Sequence, residues 1–99
     1  MKKFILALLL TISTTAQAKW WHLGGNVQVN NQQVSFSAYN STGRAVLCKG
    51  YVYGRSNFGE VGNFKIQGWV QPGGHVYGYV NAWGNRYLVD GWAEVYCRF

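Results

Sequence analysis

From residue 19 onward apolar and polar side chains alternate along the chain, and no stretch repeats its apolar positions at the spacing of a helix face. β-Branched and aromatic residues fill the alternating runs, and glycine recurs every few positions. The pattern predicts strands over Asn26–Asn30, Gln33–Asn40, Ala45–Gly54, Asn63–Val70, His75–Ala82 and Arg86–Arg98, with a short piece near Phe58–Val61. The connections Asn30-Asn31-Gln32, Asn40-Ser41-Thr42-Gly43, Gln71-Pro72-Gly73-Gly74 and Gly84-Asn85 hold residues that preset a turn or tolerate positive φ. Six or seven strands at intervals of roughly ten residues, undivided by any linker, imply one all-β domain over residues 19–99, a sandwich or small barrel.

The start of the chain is a different kind of segment. Met1-Lys2-Lys3 is basic, and Phe4 to Ile12 is apolar but far short of the roughly 18 to 20 residues a membrane helix needs. Ala16-Gln17-Ala18 then gives the small-x-small pattern of a signal peptidase site. Residues 1–18 are expected to be a cleaved secretory signal peptide, which makes the domain secreted or periplasmic and not membrane-spanning. A single-chain outer-membrane barrel is excluded, because it needs at least about eight strands of nine to eleven residues.

Export would give the cysteines an oxidising environment. Cys48 and Cys97 are the only two, and an even pair in a small exported domain is expected to form a disulfide. Closing a loop of that length contributes about 4 kcal/mol in the chain-entropy model. Neither cysteine has a neighbour at C-x-x-C spacing, and His22 and His75 are the only histidines, so no metal site and no cofactor is expected.

Period-two sorting divides the side chains into two sets. One set holds Val34, Phe36 and Ala38; Val46, Cys48, Gly50 and Val52; Phe64, Ile66, Gly68 and Val70; Val76, Gly78 and Val80; and Val89, Gly91, Ala93, Val95 and Cys97. Both cysteines fall in it, so the disulfide is expected to be buried between two sheets, with the glycines making room where the sheets approach. The other set is rich in aromatic rings: Tyr51, Tyr53, Trp69, His75, Tyr77, Tyr79 and Trp92, interspersed with Lys49, Lys65, Gln67, Glu94, Tyr96 and Arg98. If these form one open face, they are candidate ligand-binding residues, since a contiguous exposed aromatic patch of that size marks an interaction surface. The competing reading is that the rings stabilise the sheet as cross-strand pairs, or are covered by Trp20-Trp21.

Composition narrows the chemistry. The chain is 17% aromatic and only 12% charged, and all its aromatic residues except Phe4 lie beyond residue 18. Loss of Lys2 and Lys3 with the leader leaves seven Lys or Arg against three Asp or Glu, lowering the formal net charge from +6 to +4. The basic residues are scattered and form no phosphate track, so a nucleic-acid partner is not expected. Glu60, Asp90 and Glu94 are the only carboxylates. Asp90 and Glu94 sit four residues apart on one strand, about 13 Å, too far for a glycosidase pair. Ser35, His75 and Asp90 can be written as a Ser-His-acid set, but no nucleophile-elbow or phosphate-loop motif accompanies them. No catalytic residues are assigned, and the chain is not read as an enzyme.

From Val34 to Val80, an early strand ends in Asn40-Ser41-Thr42-Gly43, a long strand runs through Cys48 to Tyr53, a turn follows at Gly59, and Pro72-Gly73-Gly74 precedes a further strand. This order resembles small bacterial secreted immunoglobulin-like β-sandwiches of the FxLYD type, although the Phe-x-Leu-Tyr-Asp signature is absent and the cysteine pair lies outside the pattern. The resemblance implies an accessory or binding role. The expectation is an immunoglobulin-like antiparallel β-sandwich with one intersheet disulfide, acting as an exported binding module for a glycan or protein partner. A small bacteriocin-like effector and a self-assembling surface component are the alternatives.

Overall fold

The computed structural model describes residues 19–99; the expected signal segment lies outside the described residues. Seven strands are present: β1 (Trp21–His22), β2 (Asn26–Val29), β3 (Gln33–Tyr39), β4 (Val46–Ser56), β5 (Val61–Val70), β6 (His75–Asn81) and β7 (Leu88–Arg98). They form two antiparallel sheets, a four-stranded one in the order β1-β7-β4-β5 and a three-stranded one in the order β2-β3-β6. Among the described residues no helix is long and apolar enough to cross a membrane.

The all-β sandwich agrees with the alternation. Its strand order follows an immunoglobulin sandwich whose first, second and fifth strands form one sheet and whose third and sixth strands anchor the other. The edge position beside β7, where an immunoglobulin domain places its last strand, is held here by the two residues of β1. Alternation could not reveal so short a strand. The piece expected near Phe58–Val61 divides differently: Val61 begins β5, and Asn57-Phe58-Gly59 forms the β4–β5 turn, in which the Gly59 N–H donates to the Ser56 carbonyl at 2.9 Å.

The space between the sheets is filled by the expected inner set, with Val34, Val46, Val52, Val95, Cys48 and Cys97 essentially inaccessible to solvent. Gly91 shows why small residues recur there: a Cβ on it would lie 2.5 Å from a methyl carbon of Val34 in the opposite sheet. One inner assignment is corrected. Leu88 stands opposite Ser56 and Asp90 opposite Arg55, so Val89 is the extra residue of a β-bulge. The bulge turns Leu88 into the core and leaves Val89 52% exposed.

The second correction concerns the disulfide. Cys48 and Cys97 are bonded, but they are direct cross-strand partners on β4 and β7, with Cα atoms 4.0 Å apart. The bond therefore joins neighbouring strands of one sheet and does not run between sheets. Period-two parity assigns both residues to the interior but cannot distinguish a neighbour in the ladder from a residue in the facing sheet.

Buried Asn40 secures the crossover from β3 to β4. Its amide nitrogen donates to the carbonyls of Arg44 at 2.7 Å and Val70 at 3.0 Å, and its Oδ1 accepts from the Thr42 N–H at 3.0 Å. Its backbone exchanges bonds with the Gln71–Gly74 turn, donating to the Gly74 carbonyl at 2.9 Å and accepting from the Gly73 N–H at 3.0 Å. A turn residue expected from sequence thus ties the start of β4 to the β5–β6 connection.

Replacing both cysteines by alanine is expected to lower the unfolding free energy by about 2–5 kcal/mol. Urea titrations read by far-ultraviolet circular dichroism measure this; an unchanged midpoint would contradict a stabilising role for the bond.

Candidate functional site

Because β4 is flanked by β5 on one side and β7 on the other, every outward side chain of β4 has a neighbour on each side. The register sets out a grid of rows: Trp69–Leu47–Arg98, Gln67–Lys49–Tyr96, Lys65–Tyr51–Glu94, Asn63–Tyr53–Trp92 and Val61–Arg55–Asp90. Its aromatic members form a chain of contacts. The Tyr53 ring stacks on Trp92 with centroids 5.3 Å apart and an interplanar angle of 21°, and Tyr51 follows at 5.9 Å from Tyr53. Offset rings at these distances are attractive beyond their area burial.

Beside the ring row lies an open depression of about 530 Å³ whose lining includes Lys49, Tyr51, Lys65, Gln67, Glu94 and Tyr96. That volume falls within the small-ligand range. Among the described residues, no protein hydrogen bond or ion pair occupies the side chains of Lys49, Lys65, Gln67 or Glu94, so their donors and acceptors face solvent. Trp20 closes one end: Lys49 Nζ lies 4.6 Å from the Trp20 ring centroid and Arg98 Cζ 5.4 Å from it. The other end is fixed by charge. Arg55 pairs with Asp90 at 3.8 Å and its guanidinium lies 5.2 Å from the Trp92 ring centroid.

The floor depends on a close backbone approach. Gly50 stands opposite Val95, and a Cβ there would overlap the Glu94 carbonyl oxygen and lie 2.6 Å from Val95 Cα. Only glycine lets β4 and β7 meet at this spacing beneath the Lys65–Tyr51–Glu94 row.

The seven ring-bearing candidates do not form one face. Tyr51, Tyr53, Trp69 and Trp92 lie on the outer face of the four-stranded sheet, with Trp69 in the end row. His75, Tyr77 and Tyr79 lie on β6, on the outer face of the three-stranded sheet. There His75 sits between two rings, 5.2 Å from Tyr39 and 5.7 Å from Tyr77. Tyr79 stacks on Phe64 of the other sheet at 5.1 Å, closing the sandwich where β5 passes β6. Outward parity therefore corresponds to two surfaces on opposite sides of the molecule. Lys49, Lys65, Gln67, Glu94 and Tyr96 were outward in the alternation, but only the register brings them together around Tyr51.

The carboxylates are dispersed. Glu60, in the β4–β5 connection, pairs with Arg86 of the β6–β7 connection, and its hydrogen bond to that guanidinium holds its carboxyl below the usual value. Ser35 and His75 lie on the three-stranded sheet and Asp90 on the four-stranded one, so the Ser-His-acid set is not assembled. Among the described residues, no group of three or more His, Cys, Asp or Glu side chains could hold a metal ion. No protein-family model, curated protein or solved structure matches the chain.

Gly50→Ala is expected to destabilise the fold by about 1–3 kcal/mol, the range for overpacking. Thermal unfolding measures it; a variant as stable as the parent would contradict the backbone contact beneath the depression.

Proposed function

We propose that the chain is an exported, non-catalytic binding module that engages a glycan through the outer face of its four-stranded sheet. The Trp92–Tyr53 stack, continued by the tilted Tyr51 ring beside a depression of about 530 Å³, carries this reading. A sugar ring offers an apolar face of C–H groups and a rim of hydroxyls. The exposed Tyr51 ring and the half-buried Tyr53 and Trp92 rings can cover the first, and the solvent-facing Gln67, Glu94, Lys49 and Lys65 can donate to or accept from the second. A few convergent polar groups beside an apolar platform are what a small-ligand site needs. The disulfide suits an oxidising compartment, consistent with secretion through the N-terminal segment. The resemblance to secreted immunoglobulin-like domains points to the same accessory role.

In a glycan-array screen of residues 19–99 followed by titration calorimetry, Trp92→Ala and Tyr53→Ala are each expected to weaken the bound glycan by about tenfold or more, the loss of roughly 1.4 kcal/mol. Tyr77→Ala, on the opposite sheet, is expected to leave affinity unchanged. Full binding by the first two, or loss only in the third, would defeat the assignment.

A second reading has its own observation. Tyr39 and Tyr77 are 53% and 66% exposed on the three-stranded sheet and flank His75, a surface through which copies of the chain could associate. Sedimentation equilibrium decides it: self-association abolished by Tyr77→Ala supports this reading, and a monomer up to about 100 µM, roughly −5.5 kcal/mol of association free energy, disposes of it.

A further inference from the structure

The charges are distributed unevenly over the molecule. Strands β2, β3 and β6, which form the three-stranded sheet, contain no Lys, Arg, Asp or Glu. The four-stranded sheet is divided end to end. Arg55 with Asp90, and Arg86 with Glu60, neutralise each other near the β4–β5 turn. Among the described residues, Lys19, Arg44, Lys49, Lys65 and Arg98 form no ion pair with an Asp or Glu side chain; Lys65 stands in the middle row and the others lie toward the other end. Arg98 and Lys49 occupy the end row and the next one, with Trp20 packed against both and Lys19 preceding it. Arg44 lies 4.4 Å from the ring centroid of Phe99, the residue after Arg98. Lys65 completes the set beside Tyr51.

We infer that the glycan taken by this face is an acidic polysaccharide, whose carboxylates meet Lys49, Lys65 and Arg98 while its sugar rings lie on Tyr51, Tyr53 and Trp92. The inference rests on the glycan-binding reading of the same surface. Lys49 and Lys65 are diagonal neighbours, with Cβ atoms somewhat under about 7–8 Å apart, on two of the three strands that line the depression. Two like charges at that spacing repel each other; Glu94, diagonal to Lys49 on the other side, offsets one of them, and an anionic ligand relieves the positive charge that remains. Glu94 decides between polyanions. It shares the row of Lys65 and Tyr51, roughly 10 Å across from the lysine, and accepts hydrogen bonds without donating any when ionised. A polymer with hydroxyls as well as acids supplies the donors it needs. On a nucleic-acid backbone it would face phosphates, with like-charge repulsion in the centre of the site.

The test uses polygalacturonate, alginate and hyaluronate, each beside its methyl ester, which keeps the sugar rings and removes the charge. At least one free acid is expected to bind residues 19–99 about tenfold or more tighter than its ester at 50 mM NaCl, with the preference lost at 1 M NaCl. The double variant Lys49→Gln/Lys65→Gln is expected to lose that preference and to reduce the slope of log K against log salt by about one to two, while its melting temperature shows that it remains folded. Equal binding of acid and ester, still sensitive to Trp92→Ala, overturns the acidic specificity and leaves the glycan site standing. Binding to none of the polymers while a neutral glycan binds on the array overturns the acidic specificity alone, and binding to no glycan in either experiment overturns both. Binding to single-stranded DNA in preference to every polysaccharide overturns the choice of polyanion.

Discussion

Everything on the outer face of the four-stranded sheet depends on the long antiparallel ladder between β4 and β7. It is closed covalently at one end by Cys48–Cys97, and it ends at the bulge around Val89 at the other. Between those points the two strands run in unbroken register, and Gly50 lets their backbones approach where Tyr51 and Glu94 stand side by side. The same ladder faces inward with Val52, Val95 and both cysteines, and outward with Tyr51, Tyr53, Trp92 and Tyr96. Core and proposed binding surface are two sides of one pairing, so a slip of one residue would exchange them. A register so tightly specified keeps a surface made of separate strands in fixed geometry before any ligand arrives, which limits the ordering cost of binding.

Much of the fold was legible because alternation reports burial directly. Val34, Val46, Val52, Ile66, Val76 and Val95 were assigned inward by parity alone and are buried. The errors share a physical origin. Parity says inside or outside but not which sheet, so the disulfide was expected between sheets although it links neighbours, and the rings of β4 and β7 were grouped with those of β6 on the far side. Val89 was misassigned because a bulge inserts one residue and inverts the parity beyond it. β1 escaped because two residues cannot show a period. The grid around Tyr51 needed the cross-strand register, which follows from turn lengths and sheet order acting over the whole chain. Its members were visible as outward residues, and their convergence was not.

The basic excess changes meaning once the charges are placed. On the linear sequence the cations look scattered, and scattered cations usually serve solubility. In the fold, two of them are matched by carboxylates near the β4–β5 turn, Lys65 stands in the middle row, and the others lie toward the opposite end of the same sheet, leaving the three-stranded sheet without Lys, Arg, Asp or Glu. The molecule thus presents one charged aromatic surface and one neutral aromatic surface, separated by the thickness of the core. In the proposed complex, charge on the first would steer an anionic polymer and set its salt sensitivity, while the rings would supply contact area that salt does not screen.

The most direct test of the account is to map backbone amide shifts of residues 19–99 by two-dimensional NMR during titration with an acidic oligosaccharide. Saturable shifts are expected at Lys49, Tyr51, Tyr53, Lys65, Gln67 and Trp92, with Tyr39, His75 and Tyr77 unmoved. Shifts confined to the three-stranded sheet would contradict it.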